Sequence, residues 1–133
     1  MTTHTALVIS LLAGTFAVGC RPDDALSVVS GVVTVDGQPA ERGAISIIPL
    51  QDDSRRAGVE IQAGRYELRA PRGPAKVVIR VPRVIGQAPS NDPNRAPRPI
   101  MEESLPARFN SNSELEIDVQ PGASVHNFDL TSV

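Results

Sequence analysis

Residues 57–81, AGVEIQAGRYELRAPRGPAKVVIRV, hold the pattern that decides the fold. In their centre Tyr66 and Leu68 share one side of an extended chain, and Arg65, Glu67 and Arg69 share the other. Successive side chains of a strand point to opposite faces, so this alternation predicts a half-buried antiparallel strand. Ala63-Gly64 ahead of it marks a turn, and Val59 and Ile61 alternate before that turn. Pro71-Arg72-Gly73-Pro74 then breaks the chain ahead of Lys76 to Val81, where Val77, Ile79 and Val81 lie on one face. Helical spacing of apolar residues is nowhere sustained.

The same grammar extends in both directions. Ser27 to Val35 is a β-branched run that closes at Asp36-Gly37, a pair that tolerates positive φ and favours a tight hairpin turn. Pro39 and Gly43 bound a connection into Ala44 to Ile48, which Pro49 ends before the polar stretch Gln51 to Arg56. Further on, Leu115, Ile117 and Val119 alternate with Glu114, Glu116 and Asp118, and Pro121-Gly122 turns into a last strand, Val125 to Leu130. Seven strands result, with Val77, Ile79, Leu115 and Ile117 expected to point inward, the pattern of an all-β sandwich or barrel. From Pro82 to Pro106 the chain carries Pro89, Pro93, Pro97 and Pro99 and reads as a long exposed connection, either a passive crossover or a binding loop.

A chain of 133 residues holds one domain, and taking 19 away as a leader leaves 114, enough for one hydrophobic core. Trp is absent and Phe16, Tyr66, Phe109 and Phe128 are the only aromatics, so aliphatic packing carries the fold. Acidic residues number 15 against 13 basic ones, and neither sign forms a long block. That balance argues against a nucleic-acid partner.

Residues 1–19 contain no Asp, Glu, Lys or Arg, and Ala6 to Val18 is an apolar stretch of 13 residues broken only by Ser10, Gly14 and Thr15. That suits a signal-peptide core better than a membrane span, which needs about 20 apolar residues. Ala17-Val18-Gly19-Cys20 follows, with polar Arg21-Pro22-Asp23-Asp24 behind it, and this resembles a lipobox. The resemblance implies diacylglyceryl transfer to the Cys20 thiol and cleavage before it. Residues 1–19 are thus expected to be a lipoprotein signal peptide, 20–26 a lipid-anchored linker and 27–133 the folded domain. Cys20 is the only cysteine and has no partner for an internal disulfide, so lipidation accounts for it. Acyl chains on Cys20 would make the membrane a partner, because two or three chains hold a protein there persistently.

Five segments occur in a familiar order: Val33-Thr34-Val35-Asp36-Gly37-Gln38-Pro39, Gly64-Arg65-Tyr66-Glu67-Leu68, Pro71 to Ile79, Leu105-Pro106-Ala107-Arg108-Phe109-Asn110 and Phe128-Asp129-Leu130. With the lipobox they resemble small planctomycete-type lipoproteins bearing a carboxypeptidase regulatory-like domain. The likeness covers the whole chain after the leader. It implies a seven-stranded antiparallel Greek-key β-sandwich of the transthyretin (prealbumin) type, and an accessory module rather than an enzyme.

Catalytic chemistry finds little support in the residues. Beyond the leader His126 is the one histidine, too few for a zinc centre with its ligands and base. No Gly-x-Ser-x-Gly elbow is present. Asp23-Asp24, Asp52-Asp53 and Glu102-Glu103 are sequence neighbours, whereas paired catalytic carboxylates face each other from separate elements. Neither cofactor nor metal is expected. Carbohydrate binding is the alternative, but Tyr66 and Phe128 fall on inward positions and leave Phe109 as the one ring expected to be exposed. The expectation is therefore a non-catalytic cell-envelope protein, secreted across the inner membrane and anchored facing the periplasm or exterior. It would act as a binding or scaffold module for an envelope protein; weak binding of cell-wall polysaccharide is the second choice.

Overall fold

Two tight turns set the register of the first half of the chain. Asp36 and Gly37 both have positive φ, 52° and 79°, and so do Ala63 and Gly64, 50° and 77°. Two consecutive residues of that kind make the type I′ turn whose twist matches paired strands. The first turn joins β1 (Leu26–Val35) to the short β2 (Gln38–Pro39), with Val35 opposite Gln38. The second joins β4 (Ala57–Gln62) to β5 (Arg65–Pro71), with Gln62 opposite Arg65. At Gly64 a Cβ would come within 2.7 Å of the Pro39 side chain, so glycine is demanded by contact as well as by φ.

This computed structural model describes residues 26–133, and the expected leader, Cys20 and the linker up to residue 25 lie outside the described residues. The described chain is all-β, with eleven strands and two single-turn 3-10 helices, Asp53–Arg55 and Ala107–Phe109. The remaining strands are β3 (Arg42–Pro49), β6 (Gly73–Arg80), β7 (Pro82–Ala88), β8 (Arg98–Glu103), β9 (Glu116–Val119), β10 (Ala123–Val125) and β11 (Phe128–Leu130). Seven strands form the main path, in the order β10-β1-β5-β4-β3-β6-β9.

That path folds into two leaves because β4 and β5 stay paired only at Gln62 and Arg65. Had the pairing continued, Glu60 would face Glu67, and like charges directly opposite destabilise a ladder. β10, β11, β1 and β5 make one leaf; β4, β3, β6 and β9 make the other. Val29, Val33, Tyr66 and Leu68 from the first leaf meet Ile45, Ile47, Ile61, Val77 and Ile79 from the second in one core. Of the four residues expected to point inward, Val77 and Ile79 are fully buried, while Leu115 and Ile117 are only partly so. Ile117 lies in β9 and Leu115 just ahead of it, and among the described residues β9 is the outer edge of its leaf with a neighbour on one side alone.

The end of the chain departs from the expected single strand over Val125 to Leu130. It arrives beside β1 from the end that holds Leu26, so β10 and β11 run parallel to β1. Between them the chain leaves the ladder after the His126 amide, which still donates to the Ser30 carbonyl at 2.8 Å. A Cβ at residue 31 would collide with the His126 carbonyl, so glycine there permits the close approach. Side chains replace the missing ladder contacts: the Tyr66 hydroxyl donates to the His126 carbonyl at 2.5 Å, and Asn127 Oδ1 accepts from the Val32 amide at 2.9 Å. The last residues are tied down too, with Ser132 donating its amide (3.0 Å) and hydroxyl (2.5 Å) to the Asp36 carboxylate. Those bonds hold the Asp36 pKa below its ordinary value.

Burial pushes the Tyr66 phenol up to about 12. A folded pKa above the unfolded one means this contribution to stability is complete below pH 10.0 and is lost as the pH climbs toward 12. Tyr66 is the only tyrosine, so tyrosinate absorbance reads it directly. The native protein should titrate near 12 and the urea-unfolded chain near 10.0. A native midpoint of 10.0 with the strand signal intact would contradict the buried phenol.

Candidate interaction surface

Where a long connection was expected, the chain from Pro82 to Glu103 forms a β-hairpin, a two-stranded sheet separate from the main one. The correction concerns proline. Ser104 donates its amide to the Val81 carbonyl at 3.1 Å, which makes that pair hydrogen-bonded. Bonded and non-bonded pairs alternate along an antiparallel ladder, so Pro82–Glu103 is non-bonded, and so, beyond the bulge, is Pro99–Gln87. Both prolines therefore turn their missing N–H outward, where no ladder bond is asked of them. Pro89, Pro93 and Pro97 lie in the connection between the strands. There Asp92 accepts from the amides of Asn94 (2.9 Å) and Arg95 (3.0 Å).

Glu103 staples the arm to the body, its Oε1 accepting from the amides of Val81 (2.9 Å) and Leu105 (3.1 Å). On the arm's outer face Arg83 pairs with Glu102 at 3.2 Å. The register shifts between Val84 and Gly86, leaving Ile85 as the extra residue of a bulge. Val84 faces Met101 across the ladder, and Ile100 faces Gly86. All four large apolar side chains are open to solvent: Val84 60%, Ile85 56%, Ile100 43% and Met101 50% exposed. Val84, Pro99 and Met101 also line a groove of about 640 Å³ whose opposite wall is Val35, Pro39 and Ala40.

The arm leaves one end of the sandwich, beside the Ala40–Arg42 segment. Leu26 lies at the other end, opposite Pro71 and two residues from the contact between the Val28 amide and the Gly122 carbonyl, 2.9 Å. The apolar residues sit along the stem, and the polar Ser90-Asn91-Asp92 and Asn94-Arg95 form the tip.

The other residues singled out in the sequence are scattered. Cys20 and Asp23-Asp24 lie outside the described residues. Asp52 caps the turn at Ser54 (3.1 Å to its amide), while Glu102 and Glu103 point to opposite faces of the arm. His126 is half-buried at the break between β10 and β11, its Nε2 without a hydrogen-bond partner among the described residues. Among the described residues no three His, Cys, Asp or Glu side chains converge as a metal site would require. Phe109, expected to be exposed, is half-buried against the core, with the Arg108 guanidinium 4.8 Å from the centre of its ring. Arg108 in turn donates to the Thr131 hydroxyl at 3.0 Å. Tyr66 and Phe128 do point inward, with ring centres 6.4 Å apart. The arm's apolar residues went unnoticed in the sequence, although Val84-Ile85 and Ile100-Met101 are matching doublets flanking the Asp92-Pro93-Asn94 turn.

No protein-family model matches the chain, and no curated protein matches it. Among solved structures, a 9R-lipoxygenase from Cyanothece PCC8801 aligns at 12% identity with a TM-score of 0.31, over 100% of this chain and 18% of that one. This chain thus spans under a fifth of that protein's length, and the likeness carries no argument.

Proposed function

We propose that this chain is a non-catalytic, lipid-anchored envelope protein whose β7–β8 arm docks on an envelope protein partner. One observation carries the reading: four large apolar side chains are exposed on an ordered arm at the end of the domain away from Leu26. Val84 and Met101 line the groove side and Ile100 lies on the other face, so apolar surface is open on both sides of the arm, as a clasping partner would require. Leu26 follows Cys20 by six residues, a reach of at most about 20 Å. β1 spans about 33 Å over its ten residues, so the arm stands well clear of the anchoring end. The polar tip beyond the apolar stem suits a clasp by another protein better than insertion into lipid. The domain would be of the carboxypeptidase regulatory-like type, in a chain secreted across the inner membrane and held facing the periplasm or exterior.

A Val84→Ser/Ile85→Ser/Ile100→Ser/Met101→Ser variant tests the arm, because all four side chains are exposed and the fold should survive. Pull-down from membranes of the native host should recover a protein with wild type and lose it with the variant. Equal recovery with both would reject the arm as the contact. Retention of wild type on insoluble cell-wall polysaccharide, unchanged in the variant, would favour the carbohydrate reading instead.

A further inference from the structure

The two exposed leucines among the described residues stand together at the end of the sandwich opposite the arm. β3 ends at Pro49 opposite Ala75, and β4 begins at Ala57 opposite Ile47, so the chain from Leu50 to Arg56 projects beyond the strands there. β1 begins at the same end, with Leu26 opposite Pro71. The connection Pro71-Arg72-Gly73-Pro74 runs between the two leucines: Leu26 faces its first residue, and the Leu50 amide donates to the carbonyl of its last at 3.0 Å. Leu26 is 37% exposed and Leu50 51%, and neither packs against the core.

Basic groups surround this pair. Arg72 Nε donates to Ser27 Oγ at 3.2 Å, which holds an exposed guanidinium beside Leu26. Arg55 and Arg56 lie on the projecting loop with Leu50, together with Asp52 and Asp53. Asp52 is turned back onto its own loop, accepting from the Ser54 amide at 3.1 Å. Leucine side chains flanked by arginines match a lipid–water boundary, where apolar groups enter the acyl region and guanidinium heads stay among the phosphates.

We infer that this end of the domain seats on the bilayer, with Leu26 and Leu50 entering the acyl boundary and Arg72 at the phosphates. The inference rests on the reading of Cys20 as the lipid anchor. Chain length selects the occupant: six residues separate Cys20 from Leu26, a reach of at most about 20 Å, so the face held nearest the lipid is the one that carries both leucines. Two leucines are a weak adhesive for a free protein. Anchoring makes their contact intramolecular, at an effective concentration on the order of millimolar, so it is populated without being strong. A tether alone leaves the domain free to lie at any angle. Contacts on both sides of the β5–β6 connection stand it on this end, and the arm is then held out from the lipid by about the length of β1, about 33 Å.

The test uses the full chain purified from the native host with its acyl chains, reconstituted into vesicles of equal parts phosphatidylethanolamine and phosphatidylglycerol. Gln51→Cys accepts a bimane label next to Leu50, and Asn91→Cys accepts one at the arm tip, while acylated Cys20 takes none. Lipid bearing a nitroxide on its headgroup should quench the label at residue 51 strongly and the label at residue 91 barely. In a Leu26→Glu/Leu50→Glu background the contact constant should drop about tenfold or more, and quenching at residue 51 should fall toward that at residue 91. Leu26→Ser/Leu50→Ser, which adds no charge, should move it in the same direction, and circular dichroism should show the strand signal intact in both. Equal quenching at residues 51 and 91, or quenching at 51 unchanged by either pair of substitutions, in a chain that floats with the vesicles would overturn the seating and leave the anchor standing. A chain that does not float with them would overturn both.

Discussion

Labelled palmitate should enter the wild-type chain in its native host and be absent from Cys20→Ser, which should stay uncleaved or leave the membrane fraction altogether. The effect is close to all-or-none because Cys20 is the only cysteine and the sole acceptor the lipobox resemblance provides. Each methylene buried in the bilayer contributes about 0.8 kcal/mol, so losing two or three chains removes essentially all membrane affinity. No helix among the described residues is long and apolar enough to cross a membrane. Unlabelled wild type would end the lipoprotein reading, while leaving the arm to stand on its own test.

Cutting Ile47 or Ile79 to alanine should cost about 3–4 kcal/mol, against a total of roughly 5–15 kcal/mol for a domain of this size. Both side chains are fully buried, in the adjacent central strands β3 and β6, where Ile47 faces Val77 and Ile79 faces Ile45. Close-packed neighbours from the other leaf cannot collapse into the space, so a cavity term adds to the lost transfer energy. Leu115→Ala should cost about half as much or less, since that side chain already touches solvent on the open side of β9. Urea unfolding followed by circular dichroism would measure all three. A loss at Leu115 equal to that at Ile47 would mean that β9 is covered in solution.

The contrast between Ile47 and Leu115 also shows how far the sequence could be read. Alternation identified which residues face inward, and it did so correctly for Tyr66, Leu68, Val77 and Ile79. It says nothing about whether a strand has one neighbour or two, which is what separates Val77 from Leu115. The Asp36-Gly37 and Ala63-Gly64 turns were legible because each needs positive φ at two adjacent residues. The β7–β8 arm was not, because a proline forbids a strand only when its missing N–H faces the partner. That depends on the parity of the pairing, known here only once Ser104 is seen bonded to Val81. The break at His126 was hidden for a related reason: it arises from Gly31, nearly a hundred residues earlier, and from the Tyr66 hydroxyl reaching across to it.

β1 is held along both sides, by β5 on one flank and by β10 and β11 on the other. Its first residue is the point where the chain enters from Cys20, and the arm departs from the opposite end. If the proposed partner pulled on the arm while Cys20 was anchored, the load would travel along β1 and strain its flanking ladders in shear. Backbone bonds perpendicular to the pull must then fail together, whereas a hairpin drawn apart at its open end unzips one bond at a time. The seven pairs with β5 and the six with β10 and β11 thus work as a mechanical clamp. Rupture under tension is governed by the unfolding rate rather than by equilibrium stability. Were Cys20 lipidated as proposed, the strand nearest that attachment would be the one best built to bear a stretched tether.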